Sequence, residues 1–277
     1  MVRQRIVLAM LAAIVVVAVA PEANGGGGTP VSSCGVVVTT SSFLTQSIYC
    51  PGSSGIVVGA AGITIDLKGF TLRGDRTLNT WGVDNSSGFD GVTIKNGVVR
   101  DFQAGVAAFQ ADKFSVANVV AAGNLGSGIA VTGALASIRS SSAVGNPSVG
   151  IDLVGTSAKI QASTASGNQI GISVLGDSAT VRSSVAEGNA GTGILVEGAL
   201  AKIQSSVASG NDLDGIFVSG EGASLSRNRT DGNGYQLDTS DFQRDGIQVV
   251  WATKPPVGSN IAHGNDDPFE CIPAFLC

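Results

Sequence analysis

Histidine occurs once in this chain, at His263, and that scarcity limits the chemistry available. A serine nucleophile needs a base beside it, so Ser-His-Asp chemistry could involve only His263. Ser141, Ser163, Ser184 and Ser206 recur at a fixed interval with no histidine near them, which makes them structural residues. The densest carboxylates are Asn211-Asp212-Leu213-Asp214 and the pair Asp266-Asp267. Cations follow a different pattern: Arg139 after Ile138, Lys159 before Ile160, Arg182 after Val181 and Lys202 before Ile203, with Lys95 in the same phase. Such a row could hold an acidic polymer through several weak contacts. It is otherwise a solvated strand surface whose alternation of sides reduces like-charge repulsion.

These residues are positioned by a repeat. An aliphatic column runs through Ile65, Ile94, Val116, Ile138, Ile160, Val181, Ile203, Leu225 and Val257, with successive spacings of 29, 22, 22, 22, 21, 22, 22 and 32. Eight residues after most of these stands an asparagine preceded by glycine: Asn124, Asn146, Asn168, Asn189, Asn211, Asn233 and Asn265. A Gly-Ile pair follows at Gly128, Gly150, Gly171, Gly193 and Gly215. Within each coil, apolar residues alternate with period two, as in Ile194-Leu195-Val196, which specifies strands. Strands this short cannot bury their apolar sides alone, so coils must stack. The expectation is an all-β, single-domain parallel β-helix, right-handed because parallel crossovers nearly always are. The asparagines are expected to tolerate left-handed corners and to stack as an amide ladder, and ligand binding is the minor alternative for them.

Glycine is abundant, at 39 of 277 residues, and aromatics make up only 5%, so bulk must come from small and aliphatic residues suited to thin β layers. The formal charge of −5 argues against a general nucleic-acid partner, which needs a surplus of Lys and Arg. Arg3 and Arg5 precede an unbroken apolar run from Ile6 to Ala20, then small and breaker residues through Gly28. Those are the parts of a secretory signal, here assigned to residues 1–23 with cleavage between about Ala20 and Gly28. The run is shorter than the roughly 20 residues a spanning helix needs, so no transmembrane segment is expected after signal removal. Residues 24–33 read as a Gly-rich linker, 34–61 as an N-terminal cap, 62–265 as the solenoid and 266–277 as a tail.

In an exported chain, an even cysteine count suggests disulfides. Of the three possible connectivities, Cys34 with Cys50 and Cys271 with Cys277 is favoured because a long rod separates the two pairs. Zinc is not expected, since no Cys-x-x-Cys spacing occurs, and the sequence specifies no cofactor.

The coils Gly-Ile-x-Val…Ile-x-x-Ser-x-Ala-x-Gly-Asn, opened by Gly62-Ile63-Thr64-Ile65-Asp66-Leu67-Lys68-Gly69-Phe70-Thr71-Leu72, resemble the right-handed β-helix superfamily of pectate lyases over roughly residues 34–265. The resemblance implies the fold, and more loosely an extracellular polysaccharide as substrate or ligand. The hydrolase motifs of its polygalacturonases are incomplete here: Asn211-Asp212-Leu213-Asp214 matches only the first, and Gly-His-Gly and Arg-x-Lys do not occur.

Two insertions interrupt the period, and both are assigned to the corner between the asparagine column and the Gly-Ile strand. Seven extra residues fit Gly74 to Thr80, and most of the second excess fits Gly234 to Asp245, which contains Tyr235, Asp238, Asp241, Phe242, Arg244 and Asp245. Insertions on one edge of a solenoid often mark a binding face, although they can also cap its ends. Between them Phe109, Val154, Leu175, Leu195 and Phe217 are expected to face outward, with Asp84, Asp152 and Glu197 among them. That stripe could carry sugar rings, pair with a second subunit, or lie beneath the C-terminal segment with Trp251 and Phe275. The combined expectation is a secreted or cell-envelope protein that binds carbohydrate without a recognisable catalytic set. The alternatives are a polysaccharide lyase acting on an acidic glycan and a structural surface protein. The oligomeric state is left open.

Overall fold

The computed structural model describes residues 27–234, 246–250, 257–265 and 271–272. The apolar N-terminal run, Tyr235, Asp238, Asp241, Phe242, Arg244, Asp245, Trp251, Asp266, Asp267, Phe275 and Cys277 lie outside the described residues. Every regular element among those described is a strand.

One coil shows the path. Ser137–Arg139 bends into Ser142–Val144, turns a Gly-Asn corner into Val149–Val154, and returns to Lys159–Gln161 one coil later. Each strand pairs in parallel with its equivalent in the next coil, so the strands stack into three faces, here called first, second and third in that order. Eleven strands among the described residues form the third face. The first and second faces share one 19-stranded sheet, because Thr93–Arg100 and Ser115–Ala122 run unbroken through the bend between them.

The period-two alternation decides what is buried. Ile138, Ile160, Val181 and Ile203 point inward on the first face, and Ile151, Ile172, Ile194 and Ile216 on the third, all at most 1% exposed. On the second face the inward residue is Ala143, Ala165, Ala186 or Ala208 through the regular coils, with Thr230 next in the column. A Cβ placed on Gly171 of the third face would lie 3.0 Å from the Ala186 methyl.

The asparagines form the expected ladder, from Asn124 through Asn146, Asn168, Asn189, Asn211 and Asn233 to Asn265. Each Nδ2 donates to the next Oδ1 at 2.8–3.1 Å. The same Oδ1 atoms accept the backbone N–H of the asparagine one coil below. The left-handed backbone belongs to a different residue than expected. The preceding glycines, Gly145, Gly167, Gly188, Gly210 and Gly232, take it with φ of 60–63°, and no ladder asparagine has positive φ. The division is physical: glycine pays no Cβ penalty in that conformation, which frees the asparagine to turn its amide into the core. The glycine of each Gly-Ile pair leaves room for that amide, since a Cβ on Gly150 would lie 2.6 Å from the Asn168 Nδ2.

The stack begins earlier than residue 62. Thr29–Val31 pairs with Ser42–Leu44, and Val36–Val38 with Ile56–Val58, so the stretches read as linker and cap already follow the coil path. A disulfide joins Cys34 to Cys50 across this first coil, with Cα atoms 5.5 Å apart. Cys271 is also disulfide-bonded, and its expected partner Cys277 lies outside the described residues. Its strand, Cys271–Ile272, adds to the third face beside Ile247–Gln248.

Register also locates the insertions. Leu72 and Val83 stand 11 residues apart where Val99 and Val106 stand 7, so four of the first seven extra residues lie in the expected corner. Ile65 and Leu72 stand 7 apart where Ile94 and Val99 stand 5, which places two more in the bend between the first and second faces. The last lies after the third-face strand. In the second insertion, Thr230 and Ile247 stand 17 apart where Ala208 and Ile216 stand 8, as the sequence indicates.

Candidate functional site

The outer side of the third face carries two columns where the sequence reading placed a single stripe. One runs Asp84, Ala107, Ala130, Asp152, Ser173, Leu195, Phe217 and Gln248. The other runs Thr132, Val154, Leu175, Glu197, Ser219 and Val250. Apolar surface therefore concentrates where Leu195 stacks under Phe217, both half-buried. Beside them a recess of about 320 Å³ is lined by Gln169, Ile170, Gly191, Thr192, Leu195, Glu197, Leu213, Asp214 and Phe217. Its far wall is the Gly-Asn corner, the edge that in other coils takes four residues of the first insertion and most of the second.

The recess has an apolar floor in Leu195 and Phe217, with Gln169, Thr192 and Glu197 supplying polar groups at its rim. No cation lines this recess among the described residues, whereas elimination beside a uronate needs one to neutralise the sugar carboxylate. Asp214 is buried at 1% exposure in the corner, and Asn211 belongs to the ladder, so the motif-like Asn211 to Asp214 segment is largely structural. On the same face Asp152 is half-buried between Ala130 and Ser173. Burial pushes its carboxyl above the ordinary range, and a hydrogen bond with Ser173 only partly offsets this.

On the first face the expected cations fall into two outward columns. Arg139 and Arg182 share one with Gln161 and Gln204, and Lys159 and Lys202 share the other with Ser137, Thr180 and Ser224. All four cations are exposed and form no ion pair among the described residues. Lys95 departs from the set: it lies 3.4 Å from Asp66, which also meets Lys68 at 3.6 Å. Burial would raise the Asp66 carboxyl, but the Lys68 amide, Asn96 and the two lysines together hold it below the ordinary value. Lys95 therefore serves the fold. Ser141, Ser163, Ser184 and Ser206 sit at the bend beyond, each buried with its Oγ accepting the backbone N–H of the residue one coil below. His263 is exposed beside Asp231, 3.9 Å away on the second face.

A family model described as the right handed beta helix region matches residues 81–230, more than half of the chain. The chain belongs to the right-handed β-helix family. This settles the handedness of the coil and agrees with the resemblance read from the repeat. A search of curated protein sequences found no match. Among solved structures, the β-helix is similar to the A-module of the Azotobacter vinelandii mannuronan C-5 epimerase AlgE4, with a TM-score of 0.59 and 14% identity over 85% of each chain. It is also similar to the Agl-KA catalytic domain, with a TM-score of 0.58 and 12% identity over 87% of this chain. There it spans 60% of the neighbour's length. At these identities the likeness is one of fold.

One cluster on the β-helix escaped the sequence reading. Tyr49, Arg73 and Arg100 stack in one outward column on the second face, near the start of the rod. They lie in coils where the 22-residue period is broken, so their alignment shows only once strand register is known.

Proposed function

We propose that this β-helix binds carbohydrate outside the cytoplasm, seating a sugar ring in the third-face recess over Leu195 and Phe217. The observation that carries this reading is the recess itself: two half-exposed apolar side chains on successive coils, rimmed by Gln169, Thr192 and Glu197 and closed on one side by the Gly-Asn corner. The disulfide between Cys34 and Cys50 supports an oxidising location. Fold neighbours that include a mannuronan epimerase support the ligand class. Glu197 on the rim, with no cation lining the recess among the described residues, supports a ring without charge at this position.

A second reading, in which an acidic polymer lies along the first face, is favoured by Arg139, Lys159, Arg182 and Lys202, which are exposed and form no ion pair among the described residues. Coils about 4.8 Å apart put like positions two coils away roughly 10 Å apart, so one chain could meet several cations. Affinity electrophoresis in gels containing neutral glucan, pectate or alginate, with a parallel assay for released and unsaturated products, tests both. The expected result is retardation without turnover: by neutral glucan irrespective of salt, and by acidic glycans only at low salt. Unsaturated products would select the lyase alternative, and free migration in every gel would leave the structural alternative. Replacing all four first-face cations by glutamate should weaken the salt-sensitive component and leave retention by neutral glucan unchanged.

A further inference from the structure

On the second face, the guanidinium carbon of Arg73 lies 5.7 Å from the centroid of the Tyr49 ring. Tyr49 itself is 59% exposed. Arg73 and Arg100 each donate Nε–H to the same oxygen, Asp101 Oδ2, at 3.1 Å. Arg76 approaches the other oxygen at 3.7 Å and donates to the Gly123 carbonyl. Three guanidinium groups thus converge on one carboxylate. Asp75, the next acid along, is occupied by the Gly52 and Thr77 amides. The local balance is positive in a chain whose formal charge is −5, so the cluster is not part of a generally basic surface.

Asp101 fixes the two arginines through Nε, which leaves their terminal nitrogens without hydrogen-bond partners among the described residues. A guanidinium held in this way presents a planar fork, the geometry that matches an oxyanion with two parallel bonds. Beside it a recess of about 340 Å³ is lined by Ser47, Ile48, Tyr49, Thr71, Arg73 and Arg100. That volume accommodates a single ring. Arg73 lies over the Tyr49 ring, and the rest of this exposed ring offers a flat surface for the C–H face of a sugar, with both guanidinium groups close by for a charged substituent.

We infer that Tyr49, Arg73 and Arg100 form a binding site for an anionic sugar ring, its charge a carboxylate or a sulfate ester. This site lies on a different face from the recess over Leu195 and Phe217, and it rests on the carbohydrate reading only for the class of ring. Asp101 positions the arginines and takes no direct part in holding the ligand.

The test uses the full chain with arginine side-chain Nε–Hε resonances as the readout. Trigalacturonate, a sulfated galactose oligomer, neutral galactotriose and inorganic phosphate are titrated separately. Trigalacturonate or the sulfated oligomer should shift the Arg73 and Arg100 signals saturably, whichever acid the site prefers, and galactotriose should not. Phosphate should bind at least about tenfold more weakly, because it has no ring to stack on Tyr49. Tyr49→Ala should weaken the preferred oligomer by about tenfold with an unchanged melting temperature, while Tyr49→Phe should keep its affinity. Raising salt from about 0.1 M to 1 M should weaken binding as screening lengths shorten. Absence of any shift, an equal response to phosphate, or full affinity in Tyr49→Ala overturns the inference. The Leu195→Ser, Phe217→Ser double variant should leave these shifts intact, so failure here and failure of the third-face reading are separable.

Discussion

Asp152 is a carboxyl whose surroundings work against its charge. Burial between Ala130 and Ser173 raises its carboxyl above the ordinary aspartate value of 3.8, and Ser173 lowers it only in part. An acid raised in the folded state contributes its full stability below the unfolded value and loses it as pH climbs through the folded one. At neutral pH Asp152 therefore opposes folding. Asp152→Asn should melt higher than wild type at pH 7, with the gap closing as pH falls from the raised folded value toward 3.8 and absent below it. Equal melting temperatures across that range would show that the carboxyl is solvated. That Asp152 faces outward was legible from the alternation Ile151-Asp152-Leu153. Its burial was not, because burial depends on the column neighbours one coil above and below. The same limit concealed Tyr49, Arg73 and Arg100, which become neighbours only through register. For the Gly-Asn pairs the corner was legible, but which residue takes the left-handed backbone follows from the asparagine amide having to enter the core.

Strands and corners differ in how much of them the sequence reveals. The inward columns are readable because an aliphatic at fixed phase has one low-energy destination, and Ile160 and Val181 are indeed buried while Gln161 is exposed. The bend between the first and second faces was not recognised, because its left-handed residues include Ser140, Ala162, Ser183 and Ser205, with φ of 49–52°, and none is a turn-forming glycine. Their strain is offset by the serine hydroxyls and by backbone bonds to the next coil, such as Ser140 N–H to the Gln161 carbonyl at 3.0 Å. At this scale the account predicts opposite outcomes for adjacent residues of one strand. Ile160→Asp buries an unpaired charge and should cost several kcal/mol, whereas Gln161→Glu should change stability by about 0.5 kcal/mol or less. Denaturant melts of the two variants measure this, and comparable losses would mean that the strand faces the other way.

Across the whole molecule, one coil path presents three outer faces of different character. The first carries four exposed cations that form no ion pair among the described residues, the second begins with the arginine cluster, and the third holds an apolar recess bounded by the Gly-Asn corner. The repeat makes this possible, since interior positions fix the stack and leave outward positions free to vary. The fold was legible because the repeat writes its core about seven times over. Function was less so, since a site built from one residue per coil has no linear motif. The central claim is that the third-face recess holds a sugar ring, and retention of the Leu195→Ser, Phe217→Ser double variant on an immobilised neutral glucan tests it most directly. The account predicts that this variant, folded as judged by its melt, loses at least about tenfold in affinity, while the quadruple glutamate variant of the first face is retained like wild type. Equal retention of the double variant and wild type would contradict it.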